Sequence, residues 1–169
     1  GLGRALAAQG NPDAALSAFQ EAVDIAPDFD AAHLELVNAL YRLDRTADSL
    51  AAASAFERND PVLGGVLRAS LLRRSGKPDD AVATLKALQE KHSQPAIVRT
   101  HLASAILANG DAAEAEAVLR EGDDRSIGSK ILLVDALNAQ GRVGEYLEQQ
   151  EVVQERPLEE SLVLAYAML

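Results

Sequence analysis

Apolar residues along this chain fall in clusters spaced three and four apart, and the clusters themselves recur. The recurrence is clearest when counted from the turn residue Gly10. Asp44, Gly76, Gly110 and Gly141 follow it at spacings of 34, 32, 34 and 31 residues. Eight residues before these anchors stand Leu2, Leu36, Arg68, Leu102 and Leu133. Seven before are Gly3, Val37, Ala69, Ala103 and Val134, and four before are Leu6, Leu40, Leu72, Ile106 and Leu137. Offsets of one and three to four residues share a helical face, so each anchor is preceded by an amphipathic helix.

A second helix follows each anchor. Five residues on come Ala15, Ser49, Ala81, Ala115 and Tyr146, small in all but the last. Nine on come Phe19, Ala53, Leu85, Leu119 and Gln150, and twelve on come Ala22, Phe56, Leu88, Gly122 and Val153. Small residues opposite larger ones let paired helices approach closely. Pro27 and Pro61 close the first two units. Gly10-Asn11-Pro12-Asp13 and Gly76-Lys77-Pro78-Asp79 read as a helix end followed by proline in the next first turn. Asp111 with Glu114 reads as a capping box, and Asp60-Pro61 and Gln94-Pro95 as further starts. The pattern predicts helices near 1–9, 12–26, 30–43, 46–58, 61–75, 78–91, 95–108, 111–121, 128–140, 143–154 and 159–169. No segment alternates like a strand.

The set Leu2-Gly3, Leu6, Gly10, Ala15, Phe19, Ala22 and Pro27 resembles the tetratricopeptide repeat family, whose unit is a 34-residue helix–turn–helix. The resemblance covers nearly the whole chain and weakens along it, since Asp44 replaces an anchor glycine, Arg68 a leucine, and Tyr146 a small residue. It implies an all-α fold, a right-handed superhelical solenoid of antiparallel helix hairpins over 1–169. The repeats are expected over 1–29 (truncated at its start), 30–61, 62–95, 96–126 and a divergent 127–158, with a further helix beginning over 159–169. Because the chain starts and stops within helical patterns, a bacterial segment of a larger protein is expected.

Charge narrows the functions. Sixteen basic against 26 acidic residues give a net charge of −10, which repels phosphate backbones and anionic headgroups. Nucleic acid and membrane insertion are therefore not expected, and an RNA-reading repeat is disfavoured. There is no cysteine, which removes disulfides and thiolate metal sites and leaves the compartment open. His33, His92 and His101 are scattered, with no second ligand three or four residues away, and read as structural or surface side chains. Asp123 and Asp124 suggest a calcium loop, but Arg125 and Gly128 break its spacing. No metal, no cofactor and no catalytic residue is predicted.

A solenoid offers a concave surface lined by the first helix of each hairpin. If the family geometry carries over, the groove places lie ten, six, three and two residues before each anchor. These are Leu34, Asn38, Tyr41 and Arg42, then Val66, Ser70, Arg73 and Arg74. The later units give Thr100, Ser104, Leu107 and Ala108, then Ile131, Asp135, Asn138 and Ala139; the first gives Arg4, Ala7 and Ala8. Arg42, Arg73 and Arg74 occupy matching places on adjacent hairpins, and no acidic residue lies between Pro61 and Lys77. They are predicted to form an anion-binding patch beside Asn38 and Tyr41, with Tyr41 and Leu34 as apolar anchors. The opposing reading pairs them with Asp44, Asp48 or Asp79. The carboxylate clamp of chaperone-binding relatives and the asparagine ladder of others are disfavoured, because only Asn38 fits either. The expected function is a protein–protein interaction scaffold that holds a protein or peptide with an acidic group. The alternative is a substrate-recruiting or assembly region of a larger enzyme or envelope secretion protein.

Overall fold

A computed structural model of the chain describes residues 1–92, 96–121 and 126–146. Among these residues the regular structure is α-helical: α1 (Leu2–Ala8), α2 (Pro12–Ile25), α3 (Asp30–Arg42), α4 (Thr46–Glu57), α5 (Pro61–Arg74), α6 (Pro78–Lys91), α7 (Ala96–Ala108), α8 (Ala112–Arg120) and α9 (Ile127–Ala139). Residues 143–146 are helical as well. The helices predicted to end at 154 and to run over 159–169 extend into 147–169, outside the described residues, as do Gln94-Pro95 and Asp123–Arg125.

The period is set by backbone geometry at the anchors. Gly10, Gly76, Gly110 and Gly141 have φ of 76°, 74°, 92° and 70°, and Asp44 has 58°, the one non-glycine residue there among those described. At each anchor the helix closes by the same two bonds. The anchor N–H donates to the carbonyl three residues back, as from Asp44 to Tyr41 at 3.1 Å, and the next N–H donates five residues back, as from Arg45 to Leu40 at 3.0 Å. This is a Schellman closure, in which a left-handed residue satisfies otherwise orphaned carbonyls. Glycine adopts that conformation without a Cβ penalty, which is why it recurs. Helix starts are equally local. Asn11, Asp60, Asp111 and Ser126 each accept from a backbone N–H of the first turn, and Pro12 and Pro61 stand at or next to the first helical position. Only half of the Asp111–Glu114 box forms; the Glu114 carboxylate binds Lys86 at 2.7 Å instead.

Two compact units divide the chain at Thr84, inside α6. In the first, each helix from α1 to α5 packs on the next. One core cluster joins Ala15 and Phe19 of α2 to Leu36 and Leu40 of α3, and another joins Val37, Ala53 and Leu71. Gly3 is buried because a Cβ there would meet the Phe19 ring at 2.5 Å. Gly64 is more demanding, since a Cβ would clash with the Glu57 backbone and lie 2.8 Å from the Phe56 carbonyl carbon. His33 is buried and stacked on Phe56 at 4.3 Å, with Nε2 2.8 Å from the Pro27 carbonyl, as its structural reading requires. Asn59 donates to the same carbonyl at 3.0 Å, so one loop oxygen ties α3 and the end of α4 together.

In the second unit α7 packs on α8 and α9, and α8 on α9. Tyr146 fits where a small residue was expected because Val134, Leu137 and the partly buried Ile131 and Val143 surround it.

Three packing expectations change. Leu2 is 70% exposed, whereas its equivalent Leu36 is buried against α2. In the third hairpin Leu71 is buried and Leu72 only partly so. Arg68 supplies a polar contact in place of leucine packing, its guanidinium holding Glu57 at 2.8 Å and Thr84 Oγ1 at 3.3 Å.

Candidate functional site

The first unit brings several of the predicted groove residues onto one face. The sequence put Asn38, Tyr41 and Arg42 on α3 at the i, i+3, i+4 spacing that shares a helix face. The structure joins that face to its neighbours on either side. Toward α5, the Arg74 guanidinium lies 3.9 Å from the centre of the Tyr41 ring and donates to Asn38 Oδ1 at 3.3 Å. The Tyr41 hydroxyl donates back to the Arg74 carbonyl at 3.1 Å. Toward α1, Arg4 and Glu35 form an ion pair at 3.5 Å. First helices of three successive hairpins are thus linked side by side.

Between α1 and α3 lies a cleft of about 570 Å³. Ala7, Ala8 and Ala39 are among the residues that line it, buried Ala15 and Phe19 of α2 lie at its base, and Arg4, Glu35, Asn38 and Arg42 supply its charged and amide groups. The small side chains create the space; a leucine at any of the three alanines would occupy it. Glu35 was missed from sequence, although it stands three residues before Asn38 and seven before Arg42, on the same helical stripe.

Electrostatics distinguish this face from the rest of an acidic chain. Arg42 and Arg73 are exposed and, among the described residues, have no hydrogen-bond or ion-pair partner. Arg74 contacts an aromatic ring and an amide, neither of which neutralises it. Of the acids offered as competitors, Asp48 binds Arg45 at 2.6 Å instead. Cations of this kind keep their full attraction for an incoming carboxylate.

Other predicted residues fall elsewhere. Val66 is 5% exposed and belongs to the core, a correction to its groove assignment. The close approach of α4 and α5 at Gly64 draws in the start of α5, so Gly64, Gly65 and Val66 are all buried. Leu34 is 47% exposed but does not line the cleft. Tyr41 is no open apolar anchor, because Arg74 covers its ring. Ser70 is half-buried and already engaged in an interaction of its own.

Some of the equivalent places in the second unit serve its own structure. Thr100 Oγ1 and Ser129 Oγ are 3.0 Å apart, and Ile131 packs on the Val134–Leu137–Tyr146 cluster. Ser104 and Leu107 are half-buried, Asp135 is half-buried and engaged, and Ala108, Asn138 and Ala139 are exposed. Two of its arginines, Arg120 and Arg142, are paired. Glu116, 8% exposed, accepts from Arg120 at 2.9 Å, Arg142 at 2.8 Å and Gln140 at 2.9 Å. Burial pushes its carboxyl up, but the hydrogen bonds from Gln140 and Arg120 and the charges of Arg142 and Arg120 outweigh that and hold it below the ordinary value. Arg142 also grips Glu145 at 2.7 Å, which holds that carboxyl down as well.

The tetratricopeptide repeat profile matches residues 1–62 and 66–129. The chain belongs to the tetratricopeptide repeat family. Its fold is shared by a thermophilic tetratricopeptide protein of Thermus thermophilus, TTC0263, at 22% identity and a TM-score of 0.69 over 99% of this chain and 94% of that one. A tetratricopeptide repeat protein of Parabacteroides merdae ATCC 43184 matches at 14% identity and a TM-score of 0.67, over 99% and 68%. YrrB, described as a tetratricopeptide protein with an unusual peptide-binding site, matches at 13% and 0.54, over 99% and 89%. No curated protein matches at significant similarity. Tetratricopeptide folds are generally non-catalytic scaffolds on which proteins or peptides bind. Among the described residues no helix is long and apolar enough to cross a membrane.

Proposed function

We propose that this tetratricopeptide array binds a peptide segment of a partner protein along the face shared by α1, α3 and α5, and that Arg42, Arg73 and Arg74 select an acidic group on it. One observation supports the reading above the others. Arg74 is held against Tyr41 and Asn38 with no acid beside it, while Arg42 and Arg73 have no partner among the described residues of a chain of net charge −10. A guanidinium already fixed by a ring and an amide loses less freedom on meeting a carboxylate than a free arginine does. Local positive charge on an acidic molecule also steers an acidic ligand and rejects most basic ones.

The test uses a short fluorescein-labelled peptide with one phenylalanine flanked by aspartates, and its counterpart with lysines in place of the aspartates. Anisotropy should show the acidic peptide binding and the basic one failing to bind, with affinity falling as salt rises, because exposed charges are screened beyond about 10 Å at 0.1 M. Arg73→Ala/Arg74→Ala should weaken the preference markedly, leaving only the part that Arg42 supplies. Its melting temperature should fall only slightly, since Arg73 holds no partner among the described residues and an exposed cation–π contact such as that of Arg74 on Tyr41 is worth only about 0.5–1 kcal/mol. Equal binding of both peptides, or an unchanged preference in the double variant, would refute the proposal.

A further inference from the structure

Resting on that reading, the geometry points to a second element of recognition: the α1–α3 cleft seats one large apolar side chain of the ligand, next to the carboxylate that the arginines read. We infer that the preferred segment carries an aromatic or large aliphatic residue adjacent in sequence to an acidic one.

The cleft is built for this. Its volume of about 570 Å³ lies within the roughly 300–1,000 Å³ of ligand-binding clefts. Its walls carry Ala7, Ala8 and Ala39, and Phe19 and Ala15 give an apolar base. The polar groups among its lining residues are not equivalent. Arg4 and Glu35 neutralise one another across the opening, so that end offers no net charge. Arg42 lines the same cleft and has no partner among the described residues. The remaining cation therefore sits at one part of an otherwise neutral recess whose lining is part apolar and part polar. An entering side chain that covered the exposed Ala7 and Ala8 methyls would bring its own neighbouring carboxylate toward Arg42, and Asn38 connects that point to Arg74 through its side-chain oxygen. A basic neighbour would instead meet Arg42 unfavourably. Charge complementarity thus names the occupant as apolar followed or preceded by acidic, rather than apolar alone.

The experiment varies the two halves separately. On the wild-type protein, the aspartate-flanked phenylalanine peptide is compared with the same peptide carrying serine in place of phenylalanine. Loss of the aromatic ring should weaken binding about 10- to 100-fold, the range expected for one large buried side chain. Ala7→Leu fills the cleft from an exposed position of α1, and Ala8→Leu serves as a second variant, each checked by its unchanged helical circular dichroism. In either one the two peptides should bind equally, at about the level of the serine peptide on wild type, with the preference for aspartate over lysine retained. Equal binding of the two peptides to wild type would overturn the inference while leaving the acidic reading standing. So would a full phenylalanine advantage that persists in both filled variants. A phenylalanine advantage abolished by filling, together with no preference for aspartate, would overturn the functional reading and the acidic half of this inference, leaving only an apolar subsite.

Discussion

In the first unit Arg42, Arg73 and Arg74 reach the ends of their helices with no ion-pair partner among the described residues, whereas in the second Arg120 and Arg142 close on a buried Glu116. Both units use the same left-handed anchors and the same closures at helix ends. The difference lies in how polar and charged side chains are used, although not at matching places, since Arg120 and Arg142 fall ten and one residues after their anchors. One unit satisfies them internally: Thr100 with Ser129, and Glu116 with Gln140 and two arginines. The other holds Arg74 on Tyr41 and leaves three cations available. A repeat frame therefore sets which positions match from hairpin to hairpin, and the residue types there, with their inter-hairpin partners, set which charges stay unpaired.

The comparison can be broken first at its structural base. Gly64→Ala should destabilise the first unit by about 3 kcal/mol or more, because the added methyl meets the Glu57 and Phe56 backbone rather than a movable side chain. The helix-propensity gain of about 1 kcal/mol is too small to offset this. Amide exchange should accelerate across α3 to α5 and stay unchanged across α7 to α9. Protection unchanged in α5 would mean that α4 and α5 do not approach as described.

The second unit should answer to acid. Glu116 and Glu145 are held below their ordinary value of 4.5, so the unfolded chain binds more protons than the folded one over that range. Their stabilisation is complete above about pH 4.5 and is lost as pH falls through the depressed values. Exchange in α8 and α9 should therefore rise on acidification, and Glu116→Gln should reduce that pH slope while costing roughly 1–3 kcal/mol at neutral pH. An undiminished slope would assign the acid response to other carboxylates.

Smaller effects test two of the three residues that depart from the repeat pattern. Tyr146 is buried with a hydroxyl that has no partner among the described residues. Tyr146→Phe should be neutral or stabilise by up to about 1 kcal/mol in a thermal melt, since an unsatisfied buried polar group is costly. Asp44→Gly should stabilise by about 0.5–1 kcal/mol, relieving a φ of 58° that side chains disfavour, less the entropy glycine adds to the unfolded chain. A loss in either case would point to a contact of the hydroxyl or carboxylate that outweighs these terms.

Much of the fold was legible because its determinants are local. Anchor residues, prolines and capping side chains act within a turn of their own position, and the predicted helices from α2 to α9 match the observed ones to within one residue at each end. Contacts between hairpins were not legible in this way. Nothing near Val66 in sequence says that Gly64 draws α5 onto α4. Nothing near Tyr41 says that its ring is taken by an arginine 33 residues away. Glu35 is the exception, since its stripe with Asn38 and Arg42 could have been read from spacing alone. Tyr146 was misfitted for a related reason: the repeat pattern specifies a small residue, but the room around it depends on Ile131, Val134 and Val143 together.

On the proposed reading, ligand recognition belongs to the first unit's arginine-bearing face and not to the equivalent places of the second. The most direct measurement is amide and arginine side-chain NMR of labelled protein titrated with the aspartate-flanked phenylalanine peptide. Saturable shifts should appear in α1, α3 and the end of α5, with Arg42, Arg73 and Arg74 side-chain signals among the largest. The backbone of α7 and α9 should stay still. Saturable shifts centred on Thr100, Leu107, Ile131 or Asn138, with the α3 and α5 arginines unmoved, would contradict the account.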